Sequence, residues 1–163
     1  MRVVAYGEAL WDILPSGPVL GGAPLNFAYR IGSLGASTSM VTSLGRDDLG
    51  DQALARIGEL GMDTELIQRN GDYPTGTVDI TVDEEANPDY TINAPAAYDH
   101  IELSAANAEA AGRADCFCFG SLIQRHEDSR STLYRLLDRF QGPVVLYDVN
   151  FRKDCYRPAI VRE

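Results

Sequence analysis

Three short polar segments of this 163-residue chain carry residue types able to grip a ligand rich in hydroxyl groups. They are Asp12, the run Gly21-Gly22-Ala23-Pro24-Leu25-Asn26, and the run Asp148-Val149-Asn150-Phe151-Arg152. A carboxylate such as Asp12 accepts hydrogen bonds from two neighbouring hydroxyls at once. Glycines without side chains let a ring approach the backbone closely. The Asn26 amide both donates and accepts, so it reads a hydroxyl in either orientation. Pro24 presets the backbone at a helix entrance. The set suits a polyol. Each member also has an ordinary structural use: Asp12 as a solvated turn residue, Gly-Gly-Ala-Pro as a plain turn, Asn26 as a helix N-cap.

Other chemistries are not signalled. No Walker A run is present, and no Gly-x-Gly-x-x-Gly follows the first apolar stretch, so neither a P-loop nor a dinucleotide fingerprint is read. His100 and His126 stand beside no second ligand in sequence, which argues against zinc. Three cysteines, Cys116, Cys118 and Cys155, are too few for a disulfide framework. Two of them alternate within an apolar run, where a bridge is geometrically poor, and they are expected to be buried free thiols. The net charge of −10 argues against nucleic-acid and anionic-membrane surfaces. No stretch approaches the roughly 20 apolar residues of a membrane span. Glu8 and Asp12 interrupt the first apolar run, unlike a secretory leader. A cytoplasmic protein is expected.

The elements that must position these groups follow from periodicity. Residues 3–7 form a short apolar run, expected as a buried, central strand. Residues 12–24 hold three prolines and three glycines and are expected as loop with a short hairpin. Residues 25–34 are apolar at helical spacing and stop at Gly35. Residues 37–44 read as strand, 48–60 as a helix capped by Asp47 or Asp48, and 63–68 as a short strand. This β-α-β-α-β order predicts a parallel sheet with helical crossovers. Residues 75–83 and 89–93 alternate polar and apolar side chains around an acidic turn, expected as an antiparallel hairpin forming a flap beside the main sheet. The rhythm resumes with helices over 104–112 and 127–140 and strands over 115–119 and 143–148. The last strand is fully apolar and would leave an open sheet edge. Asp12, the glycine run and the 148–152 segment then all fall at the carboxyl ends of strands, where ligands gather in such sheets.

Taken together and in order, the motifs resemble the ribokinase-like (PfkB) carbohydrate kinases. Gly7-Glu8-Ala9-Leu10-Trp11-Asp12 is similar to that family's opening strand and sugar-binding aspartate. The run from Gly21 to Ala28, with Gly35 and Gly45 beyond it, resembles the N-terminal signature. Gly45-Arg46-Asp47-Asp48-Leu49-Gly50 resembles the following Gly-x-Asp-x-x-Gly, Thr75-Gly76-Thr77-Val78 the start of the lid strands, and Asp148-Val149-Asn150-Phe151-Arg152 the mid-chain Asp-x-Asn-x-Arg. The context around Trp11 and Leu20 leans to the fructokinase branch.

The resemblance implies a three-layer α/β/α fold with a mainly parallel sheet and a small β lid from residues 12–21 and 73–98. It implies transfer of the ATP γ-phosphate, with Mg²⁺, to a hydroxyl of a hexose, fructose first. Asp12, Gly22 and Asn26 match sugar-hydroxyl contacts, Gly21 supports the same turn, and Asn150 and Arg152 match positions on the sugar–phosphate side of the cleft. A homodimer paired through the lid is expected. The family's Gly-Ala-Gly-Asp motif with its general base, its ATP loops and its Asn-x-x-Glu motif are not in residues 1–163, so the chain is expected to be the N-terminal half only and inactive by itself. Rival readings are a non-catalytic sugar-binding or structural fragment, a family member acting on another sugar or a nucleoside, and a nucleotide-dependent α/β enzyme whose glycines mimic the signature.

Overall fold

The computed structural model describes residues 1–82 and 88–151. Five strands build a wholly parallel sheet: β1 (Arg2–Tyr6), β4 (Ser37–Gly45), β5 (Ile67–Asn70), β8 (Cys116–Gly120) and β9 (Val144–Asp148). They lie side by side in the order β5-β4-β1-β8-β9, with β1 in the centre. Successive residues of β1 point to opposite faces, as the pleat demands. Val4 and Tyr6 enter one core with Phe117, Ala111, Leu133 and Leu136, from β8, α3 (Ala105–Arg113) and α4 (Glu127–Leu137). Ala5 enters a second core with Met40, Leu25, Ala28, Ala53 and Ile57, from β4, α1 (Ala23–Ser33) and α2 (Asp48–Glu59). Helices therefore cover both faces, giving the three-layer α/β/α arrangement.

A second, four-stranded sheet has the order β3-β2-β6-β7, from β2 (Leu10–Leu14), β3 (Gly17–Gly21), β6 (Gly76–Val82) and β7 (Pro88–Ile92). The short hairpin expected within 12–24 is present and is longer than expected, with two five-residue strands paired antiparallel, Leu10–Leu14 and Gly17–Gly21. Pro18 is accommodated because β3 is an edge strand, where no partner needs its missing amide. The 76–92 hairpin joins this pair by parallel pairing of β6 with β2, Leu10 opposite Gly76 and Asp12 opposite Val78. The expected acidic turn lies mostly outside the described residues.

One strand is displaced from its expected place. Residues 63–68 were expected to pair, but only Asp63 bridges to Ser39, and β5 begins at Ile67. The Asp63 side chain accepts from the Glu65 amide at 2.9 Å, and the Ile67 amide donates to the Thr64 carbonyl at 3.1 Å. These local bonds hold a turn where the strand was expected.

The Gly45–Gly50 segment is a structural knot between the sheets. Asp47 caps α2 by accepting from the Gly50 amide at 2.7 Å. It also accepts from the amide and hydroxyl of buried Thr75, at 2.8 and 2.7 Å. The same hydroxyl accepts from the Gly45 amide at 2.9 Å. A Cβ on Gly50 would collide with the Gly45 carbonyl oxygen and lie 2.7 Å from the Thr75 hydroxyl, so the motif's last glycine is set by these close approaches. The end of β4, the start of α2 and the entrance to β6 are thereby fixed to one another.

Candidate functional site

Numbered among themselves along the chain, the five parallel strands lie in the order 3-2-1-4-5, so the direction of winding reverses between β1 and β8. A cleft of about 520 Å³ opens at the carboxyl ends of those two strands. This is where an open α/β sheet leaves room for a ligand, since the crossovers on either side of the reversal run apart.

The cleft is built from six segments of the chain. After β1 comes Glu8, which is 5% exposed. Its carboxylate accepts from the Ala23 amide at 3.2 Å, satisfying an orphan donor at the start of α1 and placing negative charge at the helix's positive end. The N-cap of α1 is Gly22, whose side chain cannot do this work. Gly22 has φ +118°, and a Cβ there would collide with the Glu8 carbonyl oxygen, so the position is confined to glycine. Asn26 is therefore not the cap that its type suggested. It lies further along α1, exposed, on the cleft wall.

Strand β2 contributes Leu10 and Asp12 to the cleft, while Trp11, between them, turns the other way and donates its indole N–H to the Leu49 carbonyl at 3.0 Å. Period-two alternation thus aims Asp12 at the cleft and anchors its strand to α2. A Cβ on Gly21 would lie 2.8 Å from Asp12 Oδ2, so Gly21 supports the carboxylate from beneath. Val78, Tyr90 and Ile92 from β6 and β7 roof the cleft with apolar surface. Gly76, at the start of that roof, packs so closely on the Tyr98 ring that a side chain would clash.

The far wall is Gly120, the last residue of β8, with Ser121 and Leu122 after it, and Asp148, the last residue of β9, with Asn150 after it. The Ser121 hydroxyl donates to the Asn150 carbonyl at 3.3 Å, and Asp148 accepts from the Asn150 amide at 3.1 Å. Of the residues singled out in the sequence, Asp12, Gly22, Asn26 and Asn150 line one cleft, Gly21 lies directly under Asp12, and Arg152 lies outside the described residues. Glu8 and Ser121 also line it and escaped the sequence reading, because a buried acid inside an apolar run and a serine after a strand look ordinary without the fold.

Cys116 and Cys118 are buried free thiols. Burial, then Cys116 and the charges of Asp148 and Glu8, push the Cys118 thiol up to about 12, which excludes a ready thiolate at neutral pH. The two histidines, far apart in sequence, are brought together. The fold brings His100 and His126 into ring contact beside Asp128, away from the cleft. Among the described residues no helix is long and apolar enough to cross a membrane.

Comparison with known proteins agrees with this architecture. An uncharacterized sugar kinase from Pyrococcus horikoshii is 28% identical over 138 residues, 84% of this chain and 44% of that protein. Its crystal structure superposes with a TM-score of 0.86 at 23% identity, covering 99% of this chain and 58% of that one, and a second structure of it contains ATP. A fructokinase of Escherichia coli is 23% identical over 163 residues, covering 96% of this chain and 53% of that protein. The fructokinase of Xylella fastidiosa superposes with a TM-score of 0.81 at 24% identity, over 96% of this chain and 53% of that one. A Vibrio cholerae fructokinase, at a TM-score of 0.76 and 21% identity over 95% of this chain and 52% of that one, was solved with fructose, ADP and a potassium ion. The chain spans about half the length of the curated relatives it matches. Residues 18–155 match the profile of the pfkB family of carbohydrate kinases, and the chain belongs to that family.

Proposed function

We propose that this chain carries the sugar half-site of an ATP-dependent hexose kinase, with fructose as the substrate. The observation that carries the reading is the convergence of Asp12, Asn26 and Asn150, from three distant segments, on one cleft at the reversal of strand order. In this reading Asp12 accepts two sugar hydroxyls, Asn26 and Asn150 orient others, and Gly21 and Gly22 let the ring approach the backbone. The family resemblance assigns Arg152, which lies outside the described residues, to the phosphate side. The apolar roof of Val78, Tyr90 and Ile92 keeps water from the acceptor hydroxyl.

Glu8 is committed to capping α1, and Asp148 holds the Asn150 amide. Among the described residues the cleft offers no group of three close ligands for Mg²⁺. The family resemblance assigns ATP and Mg²⁺ binding, and the base that takes the hydroxyl proton as the oxygen attacks the γ-phosphorus, to the Gly-Ala-Gly-Asp and Asn-x-x-Glu motifs, which residues 1–163 do not contain. The reading also includes a homodimer through the second sheet and a cytoplasmic location. The test is a coupled ADP-release assay with fructose, ATP and Mg²⁺. The 163-residue chain should give no turnover. Turnover by this chain near the ~1–100 s⁻¹ of ordinary kinases would refute the placement of the base.

A further inference from the structure

The chain's two histidines meet outside the set of residues that line the cleft. His100 ends the short 3₁₀ turn Ala97–His100 that follows β7, and His126 is the N-cap of α4. Asp128, in the first turn of α4, stands between them. Its Oδ2 is 2.6 Å from His100 Nδ1 and 3.7 Å from His126 Nδ1. One ligand atom from each of the three residues lies within 4.8 Å of one from each of the others.

We propose that His100, His126 and Asp128 form a binding site for a divalent transition cation of the zinc class. Two imidazoles and one carboxylate are the donor set such ions prefer, with a fourth position left for water. Ligand atoms about 2.0–2.2 Å from a tetrahedral ion stand roughly 3.3–3.5 Å apart. The spacings here bracket that value, so the ion requires only small side-chain rotations. His126 Nδ1 accepts from the Asp128 amide at 3.3 Å, so this nitrogen carries a lone pair and no proton, and the ion would take that lone pair from a long hydrogen bond. Three electron-rich atoms thus converge where a cation would replace the proton shared by His100 and Asp128.

A second observation is independent of the α4 terminus. The His100 side chain is 10% exposed, and its ring lies flat on Tyr73, with centroids 3.6 Å apart and planes 7° from parallel. Its Nε2 is buried and has no hydrogen-bond partner among the described residues. The ring is therefore held by its stack on Tyr73 and by the Nδ1 contact to Asp128, which turns Nδ1 toward the cluster. The α4 dipole opposes a cation at this end, and the first-turn acids Glu127 and Asp128 offset it. His126 and Asp128 are 44% and 59% exposed, which leaves a path for the ion.

Tyr73 precedes β6 and His100 follows β7, so the bound ion would anchor both stems of the β6–β7 hairpin to α4. The site would then stiffen the base of the sheet that roofs the cleft.

The experiment is a titration of the tag-free, ¹⁵N-labelled chain with Zn²⁺, followed by long-range ¹H–¹⁵N spectra of the histidine rings. With only two histidines, the spectrum holds two ring systems. Both should shift together and saturate at one equivalent, and Mg²⁺ should leave them unchanged. Asp128→Asn and His126→Gln, both at exposed side chains, should each weaken Zn²⁺ binding at least about tenfold while far-UV circular dichroism stays unchanged. Zinc uptake that leaves the ring signals in place, as binding to the thiols would, overturns the proposal. So does unchanged affinity in a folded Asp128→Asn variant.

Discussion

Replacing Asp47 by alanine removes a carboxylate on which three elements depend. Its Oδ1 accepts from the Gly50 amide and the Thr75 hydroxyl, and its Oδ2 from the Thr75 amide. Loss of an N-cap costs about 1 kcal/mol. The Thr75 amide belongs to a residue only 4% exposed, and leaving such a donor unpaired costs about 1–3 kcal/mol. The Thr75 hydroxyl keeps its bond from the Gly45 amide, so its share is small. The sum is about 2–4 kcal/mol, a large part of the ~5–15 kcal/mol that holds a domain together. Asp47→Asn keeps one acceptor oxygen but turns an amide donor toward the Thr75 amide, and should lose about 2 kcal/mol. Desolvation would raise the Asp47 pKa, but the hydroxyl and amide of Thr75, the Gly50 amide and the charge of Arg69 outweigh it and hold the carboxyl below the usual carboxylate range. A carboxyl depressed in the folded state stabilises fully above its unfolded value of about 3.9 and loses that contribution as pH falls through the folded value. The gap between wild type and Asp47→Ala should therefore be full at neutral pH and close in acid below that value. Urea unfolding followed by circular dichroism measures it, as a lowered midpoint at unchanged slope. A loss under about 1 kcal/mol at neutral pH, or a gap that widens in acid, would refute the reasoning.

Gly22→Ala forces a side chain into the Glu8 carbonyl at φ +118° and should weaken fructose binding at least about tenfold, about 1.4 kcal/mol, by calorimetry; unchanged affinity would show that the turn is not part of the site. Arg125 pairs with both oxygens of Asp99, each at 2.7 Å, and Asp99 is 3% exposed. Arg125→Met should lower stability by roughly 3–5 kcal/mol because it strands a buried carboxylate, and a melting temperature equal to wild type would contradict this.

Much of the fold was legible because its signals are local. The Leu25, Ala28 spacing and Gly35 bound α1, Ser104 caps α3 by accepting from the Asn107 amide, and the apolar runs at β1 and β8 are buried strands. The β2–β3 pair is longer than its sequence suggests because two prolines and two glycines mask strand propensity, and only the parallel pairing of β2 with β6, more than sixty residues away, explains why it forms. In the cleft, Asp12 and Asn26 are visible as chemical types, whereas Glu8 gains meaning only when the fold brings the Ala23 amide to it. The meeting of His100 and His126 with Asp128 depends on the same kind of distant packing, which no spacing in the chain announces.

The most direct test of the sugar half-site is a backbone amide chemical-shift map of the chain titrated with fructose, for wild type and for Asp12→Ala. Perturbations should concentrate at Asp12, Gly22, Asn26 and Asn150 and should disappear in the variant. Perturbations gathered elsewhere, or a response that persists unchanged in Asp12→Ala, would contradict the assignment of this cleft to the sugar.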